Sequence, residues 1–390
     1  MSHSTCMHPI RALIAAVLAT VALACASASA CAASSGASGR IEVAAKSWVL
    51  YDFNARQVLA SEQGERRFEP ASLTKLMTAY LVFQALERGD IERSRIVTAS
   101  KAALLAPGAR MYLDERHPAT IDQLLRGLIV QSGNDAAVAL AETVAGSESR
   151  FVERMNAQAQ RLGLTNTRFA NASGKPEAQH YSTSHDMARL AAALIRDFPK
   201  DYRLFAEREF TFNGLTQPNR NRLLGRDPSV DGLKTGQTPA AGYCLVSSAK
   251  RGERRIIAVV MGAANDAARA AQSQRLLNLG FTRWDAMRVG GSSAELARVR
   301  VWKGESRDVA LGLAGETLLA VPHQRRGRIQ PRIEVRKLVE APVTAGQPLG
   351  RLTLVADGET LAEYPLVARE PVELGGFFRR LVDTALLWLE

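Results

Sequence analysis

The chain has 390 residues, 46% of them hydrophobic and 6% aromatic, with a formal net charge of +11 at pH 7. That is enough apolar content for one large core and a smaller one, and it excludes a disordered or fibrous chain. The excess of Lys and Arg admits anionic partners. The cations fall in scattered pairs such as Arg66-Arg67, Arg254-Arg255 and Arg325-Arg326, without a long run, zinc-finger or RNA-binding motif, so no nucleic-acid partner is expected.

Arg11 precedes an apolar run over residues 12–24 and small residues to Ala33, with Ala28-Ser29-Ala30 as an A-x-A-like cleavage site. This reads as a signal peptide over about residues 1–33, too short for a comfortable membrane span. The alternatives are a buried N-terminal helix, or lipid modification at Cys25 or Cys31, neither of which has leucine three positions earlier. Cys6 and Cys25 lie in the leader and Cys31 beside the cut, so no disulfide framework is expected. Cys244, within Tyr243-Cys244-Leu245-Val246, reads as a small buried hydrophobe.

Residues 46–59 have the pattern of a β-hairpin. Pro70-Ala71-Ser72 opens a helix with apolar residues at Leu73, Leu76, Met77, Tyr80, Leu81, Val82 and Leu86, stopped by Gly89, which places Ser72 in its first turn. Helical spacing recurs at 121–130, 135–145, 151–162 and 184–197, an all-α block. Strands are expected at 210–212, 243–249 and 255–261, and a helix at 267–279. This order predicts an α+β catalytic domain over 41–287: an antiparallel sheet flanked by helices with an inserted all-α subdomain, and a site at their junction.

Short β segments at 298–302, 309–311, 317–321, 333–335 and 352–355 predict a small all-β domain over 298–369. Residues 371–390 form a C-terminal amphipathic helix. Leu374, Phe378, Leu381, Ala385 and Leu389 share one face, widened by Phe377, Val382, Leu386 and Trp388, opposite Arg379, Arg380, Asp383 and Thr384. It is expected to lie in a membrane interface; docking on its own domain is the alternative.

Three short motifs carry the chemistry: Ser72-Leu73-Thr74-Lys75, Ser132-Gly133-Asn134 and Lys234-Thr235-Gly236. Ser72 and Lys75 stand at i and i+3 of the expected helix, so the amine reaches the hydroxyl. A second S-x-x-K, from Ser247 to Lys250, lies on an expected strand that points the two side chains to opposite sides. A serine hydroxyl needs an adjacent base, and lysine serves only if burial or nearby positive charge lowers its pKa, a charge Lys234 could supply. The six histidines are read as surface residues.

With these motifs in order, and with Asn219-Arg220-Asn221 and Ala241-Gly242-Tyr243, the chain resembles the low-molecular-mass penicillin-binding proteins, specifically the D-alanyl-D-alanine carboxypeptidases, from about Val43 to the C-terminus. The resemblance implies that Ser72 attacks the carbonyl of the penultimate D-alanine and Lys75 takes its proton. It also implies that Ser132 relays a proton to the leaving nitrogen, Asn134 binds the peptide and Lys234 stabilises charge beside Ser132 and the substrate carboxylate. The backbone N–H groups of Ser72 and Gln237 are the implied oxyanion hole. Thr235, Arg220 and Arg269, beside Gly236, are the implied holders of the terminal carboxylate.

Gln237 stands where studied relatives carry histidine, and Gly133 stands where β-lactamases typically have aspartate, which favours the carboxypeptidase. The implied partners are peptidoglycan stem peptides, β-lactam antibiotics and the inner-membrane surface, met by an exported enzyme on the periplasmic face. No metal or organic cofactor is expected. The alternatives are an endopeptidase or transpeptidase of the same fold, a β-lactamase, which should end soon after the catalytic domain, and a membrane-tethered wall-binding scaffold.

Overall fold

The structure is a computed structural model that describes residues 41–291 and 294–388. The expected leader lies outside the described residues, as does Leu389 of the C-terminal helix.

Strand Ser47–Asp52 buries Trp48, Val49 and Leu50 in succession, the pattern of a strand covered on both faces. It sits inside a five-stranded antiparallel sheet. Gln57–Glu62 lies on one side of it; Arg254–Ala263, Gly242–Arg251 and Val230–Thr238 follow in that order on the other. The register Ser47↔Met261 through Asp52↔Ile256 joins the start of the domain to its end, so the helical block between them is an insertion. The helix Asp266–Arg283 covers one face of the sheet. Gly280 lets it approach closely, since a Cβ there would stand 2.8 Å from Ile256 and 3.3 Å from Leu50.

The helix Lys75–Glu87 is buried nearly all round, through Leu76, Met77, Tyr80, Val82 and Phe83, and forms the axis of the inserted subdomain. Ile121–Ile129, Asn134–Ala145, Glu148–Arg161 and Ser184–Asp197 surround it. The starts of three are fixed by side-chain caps: Thr120 with Gln123 in a capping box, Ser147 and Thr183.

Three features differ from the sequence expectation. Ser72 lies in a separate 3₁₀ turn, Ala71–Thr74, and the α-helix begins at Lys75. The strand expected at 210–212 pairs with Leu215–Pro218 as a separate hairpin outside the main sheet. Strand Val230–Thr238, which carries Lys234-Thr235-Gly236, shows no alternation in sequence because Gly232, Lys234 and Gly236 interrupt it.

Beyond residue 290, strands Ala297–Arg300, Asp308–Gly312, Glu359–Ala368, Pro348–Ala356 and Gln330–Val335 form a second five-stranded sheet over its own core of Val309, Leu311, Leu352 and Leu366. Thr317–Pro322 pairs instead with Trp284–Gly290, the strand that follows helix Asp266–Arg283. The C-terminal helix Phe377–Leu387 meets this domain through polar groups: Asp383 accepts from the Lys303 N–H at 2.6 Å, and Arg379 donates to the Glu305 carbonyl at 2.9 Å. Its Phe377, Phe378, Leu381 and Val382 remain exposed.

Candidate active site

Strand Val230–Thr238 is an edge strand, and the Ala71–Thr74 turn packs against it. A Cβ on Gly236 would stand 3.1 Å from the Pro70 carbonyl and 3.2 Å from the Ala71 Cβ, so glycine sets this close approach. Ala71 (φ 48°) and Ser132 (φ 64°) hold left-handed backbone without being glycine, a conformation that packing must impose. The turn, this strand, the segment before helix Asn134–Ala145 and the loop around residues 171–175 enclose a cleft of about 780 Å³. Ser72, Ser132, Asn134, Arg220, Thr235, Gly236, Gln237 and Arg269 all line it.

Inside the cleft, Lys75 Nζ lies 3.1 Å from Ser72 Oγ, 2.7 Å from Asn134 Oδ1 and 2.5 Å from the Ser173 carbonyl. Two of these neighbours only accept. A neutral amine therefore gives its two N–H bonds to Asn134 and Ser173, and its lone pair faces Ser72. Lys75 is 1% exposed, and burial, reinforced by the Arg220 cation and opposed by Asp135, lowers its pKa to about 7. Arg220 thus joins Lys234, the cation the sequence suggested; Lys75 and Lys234 each disfavour the other's charged form.

Lys234 Nζ donates to Ser132 Oγ at 2.9 Å and to the Thr235 carbonyl at 3.0 Å. Burial first, then Lys75, Arg220 and Arg269, push its pKa well below the ordinary range. Asn134 anchors the site as much as it faces the cleft: its amide donates to the Pro107 carbonyl while its oxygen serves Lys75. Arg269, 7% exposed, donates to the Gly236 carbonyl at 3.2 Å, pairs with Asp266 and stacks on Tyr243, so it braces the strand at the cleft wall. Arg220 and Arg222 are exposed guanidinium groups of the cleft, and Arg222 pairs with Asp266. Asn219 and Asn221 are structural, donating to the Glu207 and Gly232 carbonyls.

Gly133 has a steric reason. A Cβ there would stand 2.7 Å from Asp135 Oδ1 and 3.1 Å from the Met111 nitrogen, in the bed where the buried Asp135 carboxylate accepts four backbone N–H groups, from Met111, Tyr112, Leu113 and Ala136. That bed shapes the cleft wall, and its acceptor was not singled out from sequence. Neither was Ser173, whose contribution is a backbone carbonyl.

Of the six histidines read as surface residues, His3 and His8 lie outside the described residues, His117 and His323 are exposed, His185 is half-buried against Glu65, and His180 departs furthest from the reading. His180 is buried, its Nε2 2.9 Å from Thr74 Oγ1, because the loop carrying it folds over the Ser72 turn. Burial lowers its pKa to about 4, so it is neutral at pH 7. The second S-x-x-K lies on a strand as expected: Ser247 is buried against the Ala258 carbonyl, and Lys250 is exposed beside Glu253. Cys244 is fully buried, and burial raises its thiol pKa to about 11, which leaves no thiolate nucleophile.

A serine held by a buried lysine whose pKa is lowered to about 7, with a second serine–lysine pair across the cleft, defines a serine acyl-transfer enzyme. Residues 32–265 match the family described as D-alanyl-D-alanine carboxypeptidase, and residues 290–374 match the C-terminal domain of penicillin-binding protein 5. The chain is 40% identical over 356 residues to the D-alanyl-D-alanine carboxypeptidase DacC of Escherichia coli, covering 88% of each chain. It is 37% identical over 350 residues to DacA of the same organism, covering 88% of this chain and 87% of that one. The structure of penicillin-binding protein 5 from Haemophilus influenzae superposes with a TM-score of 0.83 at 37% identity, over 87% of this chain and 100% of that one. The chain belongs to the D-alanyl-D-alanine carboxypeptidase family of serine peptidases.

Proposed function

We propose that the chain removes the terminal D-alanine from peptidoglycan pentapeptide stems through an acyl-enzyme on Ser72. The observation that carries this is the Lys75 amine, whose two acceptors leave Ser72 as the one neighbour able to give it a proton. Ser72 Oγ adds to the carbonyl of the penultimate D-alanine and its proton passes to Lys75. The C–N bond then breaks, and the leaving amine takes a proton through Ser132, whose hydroxyl Lys234 holds. Water cleaves the resulting ester and restores Ser72. Backbone N–H groups of Ser72 and Gln237 are assigned to the oxyanion, and Arg220 with Thr235 to the terminal carboxylate.

The same nucleophile is assigned to β-lactams, whose ring opening leaves an ester on Ser72. Intact-protein mass after incubation with benzylpenicillin tests the assignment: an adduct of one drug mass in the wild type and none in Ser72→Ala is expected. An equal adduct in the variant would refute it.

Residues 1–33 are assigned as a leader directing export, residues 41–287 as the catalytic domain and 298–369 as the β domain. Helix Phe377–Leu387 is assigned to the periplasmic face of the inner membrane. In support, its apolar side chains are exposed, Phe378 at 82% and neighbouring Trp388 at 87%, while its polar side attaches it to the domain. Among the described residues no helix is long and apolar enough to cross a membrane; this one would lie in the interface.

A further inference from the structure

Lys75 can present its lone pair to Ser72 only if the Ser173 carbonyl takes one of its N–H bonds, and a loop carbonyl needs something to hold it. Asn171, 5% exposed, does this from inside the loop. Its Oδ1 accepts from the backbone N–H groups of Ser173, Gly174 and Lys175 at 3.2, 2.7 and 3.0 Å, and its Nδ2 donates to the Lys175 carbonyl at 2.9 Å. One side chain thereby fixes three successive peptide planes, including the plane that begins at the Ser173 carbonyl.

The preceding residue is tied to the lysine helix itself. Thr78, one turn beyond Lys75, donates to the Ala172 carbonyl at 2.6 Å, and Glu148 accepts from the Ala172 N–H at 2.9 Å. On the far side Gly174 (φ 86°) lies against the nucleophile turn, where a Cβ would stand 1.8 Å from the Ala71 carbonyl. The loop touches the base through one carbonyl and the nucleophile turn through one glycine, and Asn171 links the two.

We propose that Asn171 is a positioning residue for the acylation step, holding the Ser173 carbonyl on Lys75 Nζ so that the amine lone pair is directed at Ser72. The proposal rests on Lys75 being the base. Asn171 Oδ1 also accepts from the Ser173 hydroxyl at 3.3 Å and its Nδ2 donates to the Glu177 carboxylate at 3.2 Å, so side-chain bonds add to the backbone bonds that fix the loop.

The test is the second-order rate of acylation by a fluorescent penicillin, per titrated active site, as a function of pH. Asn171→Ala is expected to slow acylation by about tenfold or more, the scale of a misplaced reacting group. Its acid limb should move to lower pH, because the Lys75 ammonium loses an acceptor while Arg220, Lys234, Asp135 and the neutral His180 are unchanged around it. Asn171→Ser, whose hydroxyl can accept from the same loop N–H groups, should recover part of the rate.

Wild-type rates and an unmoved limb in Asn171→Ala would overturn the proposal. So would a loss confined to the number of titratable sites, or a slow variant with the wild-type limb and no recovery in Asn171→Ser. If Lys75→Ala acylates at the wild-type rate, the failure lies in the assignment of the base instead.

Discussion

At Lys75, burial and the Arg220 guanidinium together favour the uncharged amine, and the pKa of about 7 puts its titration near neutral pH. In the proposed mechanism the neutral form is the base. Acylation is therefore expected to hold above that pH and to fall as pH drops through about 7, in a rate profile measured with a β-lactam. Removing the cation in Arg220→Ala should move this limb to higher pH. It should also raise KM for a peptide ending in a free carboxylate by about tenfold or more, the scale of a lost charge-assisted hydrogen bond. Ser72, Lys75, Ser132 and Lys234 were legible in the sequence because their chemistry resides in side chains at short, ordered spacings. The Ser173 carbonyl was not, since every residue carries one, and His180 was misread because its burial comes from a loop that only tertiary packing closes over Thr74.

The elements that matter most are the short irregular ones. Ser72 sits in a 3₁₀ turn rather than in the helix, and two glycines, Gly174 and Gly236, let a loop and a strand press against that turn. Gly174→Ala places a side chain at φ 86° and within 1.8 Å of the Ala71 carbonyl. It is expected to lose at least about 2 kcal/mol of stability in urea unfolding and most of the acylation rate. A variant with wild-type stability and rate would show that the turn does not depend on this contact. The long helices were legible from apolar spacing, which packing of the inserted block requires. Strand Val230–Thr238 was not, because its glycines and buried lysine serve the cleft and erase the alternation that marks a strand.

Over the whole molecule, pairing of Ser47–Asp52 with Arg254–Ala263 closes the sheet around the inserted helices, and the cleft lies where the two meet. The α+β order was legible from the succession of strand and helix patterns. The pairing of Trp284–Gly290 with Thr317–Pro322, which links the catalytic and β domains, was not, since register between distant strands leaves no local mark. Deleting residues 371–390 is expected to release the mature protein from membranes into the soluble fraction with its acylation rate unchanged. A truncated protein that stays membrane-bound would contradict the role given to Phe377–Leu387. The central claim is tested most directly by following D-alanine release from a soluble peptide ending in D-alanyl-D-alanine, in the wild type and in Ser72→Ala. Stoichiometric release by the wild type and none by the variant is predicted. Peptide left intact by a wild type that still forms the β-lactam adduct would contradict it.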